Sequence, residues 1–338
     1  MKAIHLIIAA TLGVVASTLA SCEKVSPQGV LMAGTAVEDR VKMSHTYYQN
    51  YLVDLKLDPD IDAVNGEYTF LVGADSHITT DPGRMDEMLK IGLDNNDLLY
   101  AHLGDIADTK AEYYIVLDSL LRKAKQRYVE KNYEPNEYGR WTHKKHPEDI
   151  IGQAYDAIKL PFFPVVGNHD LTHNGWALWS NIFGSSFYEF DVLVGSDENG
   201  HGVFDHFIFL DTASGTLGRR QIDLINQGVL DGEGKYRHTF VFSHTNIFRP
   251  SSLQFASTFS REETFFLLKQ FEIWNANIVF CGHVHAWDER EYNLVTYLTL
   301  DSMSERNSPK PGDYLVRVHV DNERGVYWER VHMDYVAK

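Results

Sequence analysis

An α/β fold built on a mostly parallel sheet is predicted for this chain by three observations. Apolar runs rich in β-branched and aromatic residues alternate with helical patterns through the middle of the sequence. Five of those runs end alike, on a polar cluster containing His, Asp or Asn. Parallel strands joined by right-handed crossovers share one carboxyl edge, so the five clusters are predicted to converge there. The 338 residues can bury a large core, and 44% hydrophobic with 23% charged residues is the balance of a soluble globular protein. A formal charge of -16 argues against a surface that binds nucleic-acid backbones or anionic membranes. Small anionic substrates remain open to it, because bound cations invert the local field.

The chain begins with Met1-Lys2 and an apolar run from Ile4 to Ala20, short for a spanning helix and followed by polar chain. That is the pattern of a secretory signal. Leu19-Ala20-Ser21-Cys22 resembles the lipobox of bacterial lipoproteins. The resemblance implies cleavage before Cys22, lipidation of its thiol, export, and anchoring to the membrane of the cell envelope. Residues 1–21 are then a signal peptide, 22–37 a tether, and 38–338 one domain. With Cys22 acylated, Cys281 has no cysteine partner and no internal disulfide is expected.

Glu38 to about Asp54 reads as an amphipathic helix with Val41, Tyr48, Tyr51 and Leu52 inward. Asn65-Gly66 signals a tight turn before the first strand. Tyr68–Gly73 leads into Asp75-Ser76-His77, and Leu98–Leu103 leads into Gly104-Asp105. Phe162–Val166 leads into Gly167-Asn168-His169-Asp170, Thr239–Phe242 into Ser243-His244, and Asn277–Cys281 into Gly282-His283-Val284-His285. Helical patterns cover Arg84–Asn95, Glu112–Lys131, Pro147–Ile158, Gly218–Gln227 and Arg261–Ile273. Phe187–Val192 and Val203–Leu210 flank a Gly/Asn/Asp-rich loop and read as a hairpin. Strands are expected at Glu289–Leu300, Tyr314–Val320 and Val326–His332, the last after the Asn322-Glu323-Arg324-Gly325 turn. Two sheet layers with helices outside would use all of these in one domain.

The tips offer imidazoles, carboxylates and an amide, with no thiolate. That donor set suits Zn, Mn or Fe. It is too large for one tetrahedral ion and fits a pair of ions that clamp a substrate. In extended chain, Asp75-x-His77 and His283-x-His285 each place two donors on one side.

In order, these motifs match those of the calcineurin-like metallophosphoesterase superfamily, and the chain resembles that superfamily from about residue 68 to 300. The resemblance implies a four-layer αββα sandwich of two mixed sheets flanked by helices. It implies two divalent or trivalent metal ions, one held by Asp75, His77, Asp105 and His285. Asp105 would bridge to the second, held with Asn168, His244 and His283. It also implies hydrolysis of small phosphate mono- or diesters by a metal-bridging hydroxide, with His169 protonating the leaving group and Asp108 orienting His169. Asp108 reads equally as a helix N-cap ahead of Glu112. Asp170 is left with bonding the loop backbone, and Gly167 is expected to tighten the turn.

The pattern departs from that of protein phosphatases, because Thr109-Lys110 stands where they carry Arg-Gly. His77 is present and Asp108 is not tyrosine, which also separates the chain from purple acid phosphatases. Arg249, His173 and Trp176 are weaker candidates for substrate contact, and His102 reads as a core histidine. The alternative function is a non-catalytic metal-binding lipoprotein that retains the fold.

Overall fold

The computed structural model describes residues 36–44, 66–108, 110–145, 148–149, 151–232, 234–248 and 259–336. The expected signal peptide 1–21, Cys22, nearly all of the tether, Tyr48, Tyr51, Leu52 and Arg249 lie outside the described residues. Residues 37–44 are helical. The elements then follow as β1 (Tyr68–Gly73), α1 (Gly83–Asn95), β2 (Tyr100–His102), α2 (Ala111–Asn132), β3 (Tyr133–Pro135), β4 (Trp141–His143), β5 (Phe162–Pro164) and α3 (Gly175–Phe183). The second half has β6 (Tyr188–Ser196), β7 (Gly202–Phe209), α4 (Gly218–Asn226), β8 (Lys235–Ser243), α5 (Arg261–Ile273) and β9 (Ile278–Cys281). It closes with β10 (Asp288–Tyr292), β11 (Val295–Thr299), β12 (Gly312–Asp321) and β13 (Gly325–Met333).

Two sheets carry the fold. The first has the order β13-β12-β1-β2-β5, and the second β10-β11-β9-β8-β7-β6. Within them β1, β2 and β5 are mutually parallel, as are β7, β8, β9 and β11, with antiparallel strands at the margins. Toward their carboxyl ends the central parallel strands are buried on both faces and read there as apolar runs, as in Phe70–Val72, Phe207–Phe209, Phe240–Phe242 and Ile278–Cys281.

Side-chain alternation sorts the strands into layers. Phe70, Val72, Ala101, Leu103, Phe163 and Val165 of the first sheet meet Phe207, Phe209, Phe240, Phe242 and Phe280 of the second in a shared core. Cross-strand rings stack along the second sheet: Tyr188 on Phe209 at 4.5 Å, Phe209 on Phe242 at 4.4 Å and Phe242 on Phe280 at 5.1 Å. Such pairs contribute about 0.5–1.5 kcal/mol each beyond their buried area. On the outer face of the first sheet, Leu71 and Tyr100 pack against Met88, Leu117 and Trp179 from α1, α2 and α3. On the outer face of the second, Ile208, Val241 and Val279 pack against Leu224, Leu267 and Phe271 from α4 and α5, together with Val37 and Val41. The architecture is the four-layer αββα sandwich.

Two local expectations are corrected. The expected helix over 147–158 is not seen among the described residues: Gly152 has φ +60°, Gln153 bridges back to Trp141, and Tyr155–Ala157 makes a 3₁₀ turn. The stretch Glu289–Leu300 is a hairpin rather than one strand. Asn293 and Leu294 both have positive φ, as a two-residue reversal requires.

Candidate metal centre

Past each strand the parallel backbone pairing runs on for a few residues, and this carries the polar tips together. Asp75 N–H donates to the Gly104 carbonyl at 3.1 Å and His77 N–H to the Asp105 carbonyl at 2.9 Å. In the second sheet Gly282 N–H donates to the His244 carbonyl at 3.0 Å. The sheets are then tied across their seam, where His283 N–H reaches the Asp75 carboxylate at 2.9 Å. Asp75, His77, Asp105, His283 and His285 all have φ between 44° and 70°. This left-handed region is uncommon for non-glycine residues and costs of order 1–3 kcal/mol each. Five of the seven candidate ligands are thus held in strained backbone.

The side chains fall into two groups whose donor atoms lie within 4.8 Å of one another, and Asp105 belongs to both. In the first, His77 Nε2 is 3.3 Å from His285 Nε2 and 3.8 Å from Asp105 Oδ2, and His285 Nε2 is 3.5 Å from Asp75 Oδ1. In the second, His244 Nε2 is 2.8 Å from Asn168 Oδ1, 3.2 Å from His283 Nδ1 and 3.5 Å from Asp105 Oδ2.

The second group tests whether a cation fits. His244 Nδ1 lies 2.7 Å from the Leu103 carbonyl, which can only accept. Its proton is therefore on Nδ1, and in the neutral ring Nε2 is a bare lone pair. That lone pair faces an amide oxygen, a carboxylate oxygen and a second imidazole nitrogen. Acceptors gathered this closely need positive charge among them, and a ligand histidine held through its other nitrogen by a carbonyl is the usual support for a metal. The donor set fits divalent or trivalent ions.

His169 stands beside this cluster, 42% exposed, with Nδ1 3.1 Å from Asp108 Oδ1. His77 Nδ1 approaches the same oxygen at 3.7 Å. Asp108 does not cap α2, whose start at Lys110 has no side-chain cap. Its carboxylate serves the two histidines. Asp170 accepts from the backbone N–H of Gly167 at 2.9 Å and of Ile106 at 3.1 Å, and so bonds the loops rather than the centre.

Gly167 has no positive φ, so it is not a turn glycine. A Cβ there would meet Asp105 N at 2.1 Å and Asp105 Oδ1 at 2.3 Å. The glycine is required because the Asp105 loop passes over it.

Burial works against charge throughout the cluster; opposite charges outweigh it at His77 and Asp75, and burial wins at His283. For His77, burial opposes protonation, yet Asp108, Asp105 and Asp75 outweigh it and push the imidazole up to about 9. Asp75 is penalised by burial, but His285, His244 and His77 hold it well below the usual carboxylate range. The nearby His77 imidazole, against burial, holds Asp108 down to about 2, with His169 adding to it. Burial pushes His283 down to about 4, and His102 to about 3. His102 is fully buried on β2 with neither ring nitrogen partnered, a neutral core histidine.

Trp176 is buried and stacked on Trp179 at 5.5 Å, so it packs the first sheet's outer layer. His173 is exposed. Sequence reasoning missed Arg306, whose Nη1 lies 3.5 Å from Asp108 Oδ2. It sits in the loop after β11, far from any motif.

No protein-family model matches the chain, and no curated protein matches its sequence. Solved structures do match. GAP50, the anchor in the inner membrane complex of Plasmodium, is 12% identical with a TM-score of 0.48, over 80% of this chain and 90% of that one. A dimetal phosphatase from Danio rerio is 11% identical with a TM-score of 0.46, over 79% and 99%. An archaeal phosphodiesterase is 10% identical with a TM-score of 0.36, over 78% and 99%.

Proposed function

We propose that this chain is a metal-dependent phosphoesterase, of the calcineurin-like kind its motifs resemble, acting on small phosphate mono- or diesters. One observation carries the reading. Asp75, His77, Asp105 and His285 converge on one side of Asp105, and Asn168, His244 and His283 on the other, with His169 alongside. Two ions of Mn, Fe or Zn held there would supply Lewis-acid stabilisation of the phosphoryl charge and an activated nucleophile.

The chain's own residues do the rest. The Leu103 carbonyl fixes the His244 ring, and the Asp75 carboxylate fixes the backbone of His283. Asp105 accepts from His169 N–H at 2.6 Å, so a shared ligand also sets the height of the proton donor. Asp108 holds His169 through Nδ1, which leaves Nε2 free to carry the proton for the departing oxygen.

The test is metal content together with hydrolysis of an aryl phosphate monoester and diester. His169→Ala is expected to keep its metal and lose about 10²–10⁴-fold in turnover. A metal-loaded wild-type protein inert on both esters overturns the reading. Loss of metal from the variant overturns the role given to His169.

A further inference from the structure

The loop that follows β11 is rooted on the candidate centre. Ser302 Oγ donates to the Asp75 carbonyl at 2.8 Å, Ser304 N–H donates to the same oxygen at 3.1 Å, and Met303 N–H donates to the Ala74 carbonyl at 3.0 Å. Ser302, Met303 and Ser304 are buried. The chain then turns tightly, with Asn307 N–H and Ser308 N–H both on the Ser304 carbonyl at 3.1 and 2.8 Å. Arg306 stands at the tip of this turn, 82% exposed, with its guanidinium 3.5 Å from Asp108 Oδ2. The other oxygen of that carboxylate holds His169. A proton donor and a guanidinium therefore flank one carboxylate at the mouth of the site.

Stability does not account for this placement. An exposed ion pair contributes about 0–1 kcal/mol, and Asp108 already has two histidine partners. Among the described residues, the groups paired with Asp75, Asp105 and Asp108 are imidazoles, with Arg306 the single Lys or Arg side chain. A hydrated, exposed guanidinium can leave its loose pair at little cost and take an oxyanion in its planar fork. It does so on the side where His169 meets the leaving group. On a chain of net charge -16, a cation beside the centre favours a substrate with a second negative group.

Resting on the phosphoesterase reading, we propose that Arg306 is a specificity-determining residue. It selects phosphate esters whose leaving group carries an anionic oxyacid, a carboxylate or a second phosphate. Phenyl phosphate and 3-carboxyphenyl phosphate test this on the metal-loaded full chain. The kcat/KM ratio of the carboxylated to the plain ester is expected to fall about tenfold in Arg306→Gln and to recover partly in Arg306→Lys. Equilibrium binding of 3-carboxyphenylphosphonate relative to phenylphosphonate is expected to lose the same preference. A ratio unchanged in both measurements overturns the assignment, and this includes the case where both esters slow equally because Arg306 acts through Asp108. A wild-type protein inert on both esters overturns the phosphoesterase reading itself.

Discussion

His206 shows how a buried charge is handled away from the centre. It lies on the outer face of β7, with Nδ1 2.6 Å from Asp191 Oδ1 and 3.3 Å from Glu189, and with Nε2 3.0 Å from the Leu230 carbonyl. Tyr236 OH donates to the far oxygen of Asp191 at 3.0 Å. Three such acidic and imidazole groups could surround a metal, but 2.6 Å is a hydrogen-bond length, and a proton fills the gap. Burial opposes the charge, yet the two carboxylates and the carbonyl outweigh it and raise the histidine. A raised histidine stabilises the fold below its ordinary value of about 6.5 and loses that contribution as pH climbs through the raised one. His206→Gln is therefore expected to cost about 1–3 kcal/mol at pH 6 and less at pH 9, measured by denaturant unfolding at both. An equal cost at the two values would show that His206 is neutral in the fold. At this scale the candidate ligands were legible because residue type and place coincide: polar groups directly after buried strands. Arg306 was not, because its nearness to Asp108 depends on a loop bonded to Asp75 more than two hundred residues earlier in the chain.

The helical segment 37–44 does more than its amphipathic pattern promised. Arg40 is fully buried and pairs with Asp211 through Nε and Nη2, each at 2.8 Å, while Ser186 Oγ donates to the same carboxylate at 2.6 Å. Glu38 accepts from Arg219 N–H and Arg220 N–H, which closes the first turn of α4. The next residue after Asp211 is Thr212, whose Oγ1 accepts from His244 N–H at 2.9 Å. The segment thus braces the end of β7, which in turn holds the backbone of the candidate ligand after β8. Arg40→Met would leave Asp211 charged and buried, and is expected to cost about 3–5 kcal/mol of unfolding free energy. A loss under 1 kcal/mol would mean that water reaches the site. Elements were read well where the helix is long, as for α1, α2 and α5 at 13, 22 and 13 residues, and poorly where tertiary pairing overrides local pattern. The stretch around 151–153 is recruited to the edge of β4 at Gln153, and α3 went unread because it is only nine residues long and mostly apolar.

Across the whole molecule, the candidate centre lies on the seam between two sheets that each supply part of it. Asp75, His77, Asp105 and Asn168 follow strands of the first, and His244, His283 and His285 follow strands of the second. Anything bound there stabilises the docked arrangement by mass action, about 2.7 kcal/mol per site at a hundredfold excess over Kd. For a domain of this size each kcal/mol is worth roughly 2–4 °C. Removal of two ions by chelation is expected to lower Tm by roughly 10–20 °C in calorimetry, and identical traces with and without chelator would count against metal at the seam. The layer order was legible from the alternation of strand and helix, but the return of the chain's end to the first sheet was not. β12 inserts beside β1, with Tyr68 opposite Val320 and Val72 opposite Val316. During synthesis, then, β1 waits as an open edge, its N–H and C=O groups exposed on one side, until β12 has been made. Until then the nascent chain carries, just ahead of two candidate ligands, a strand able to pair with a neighbour.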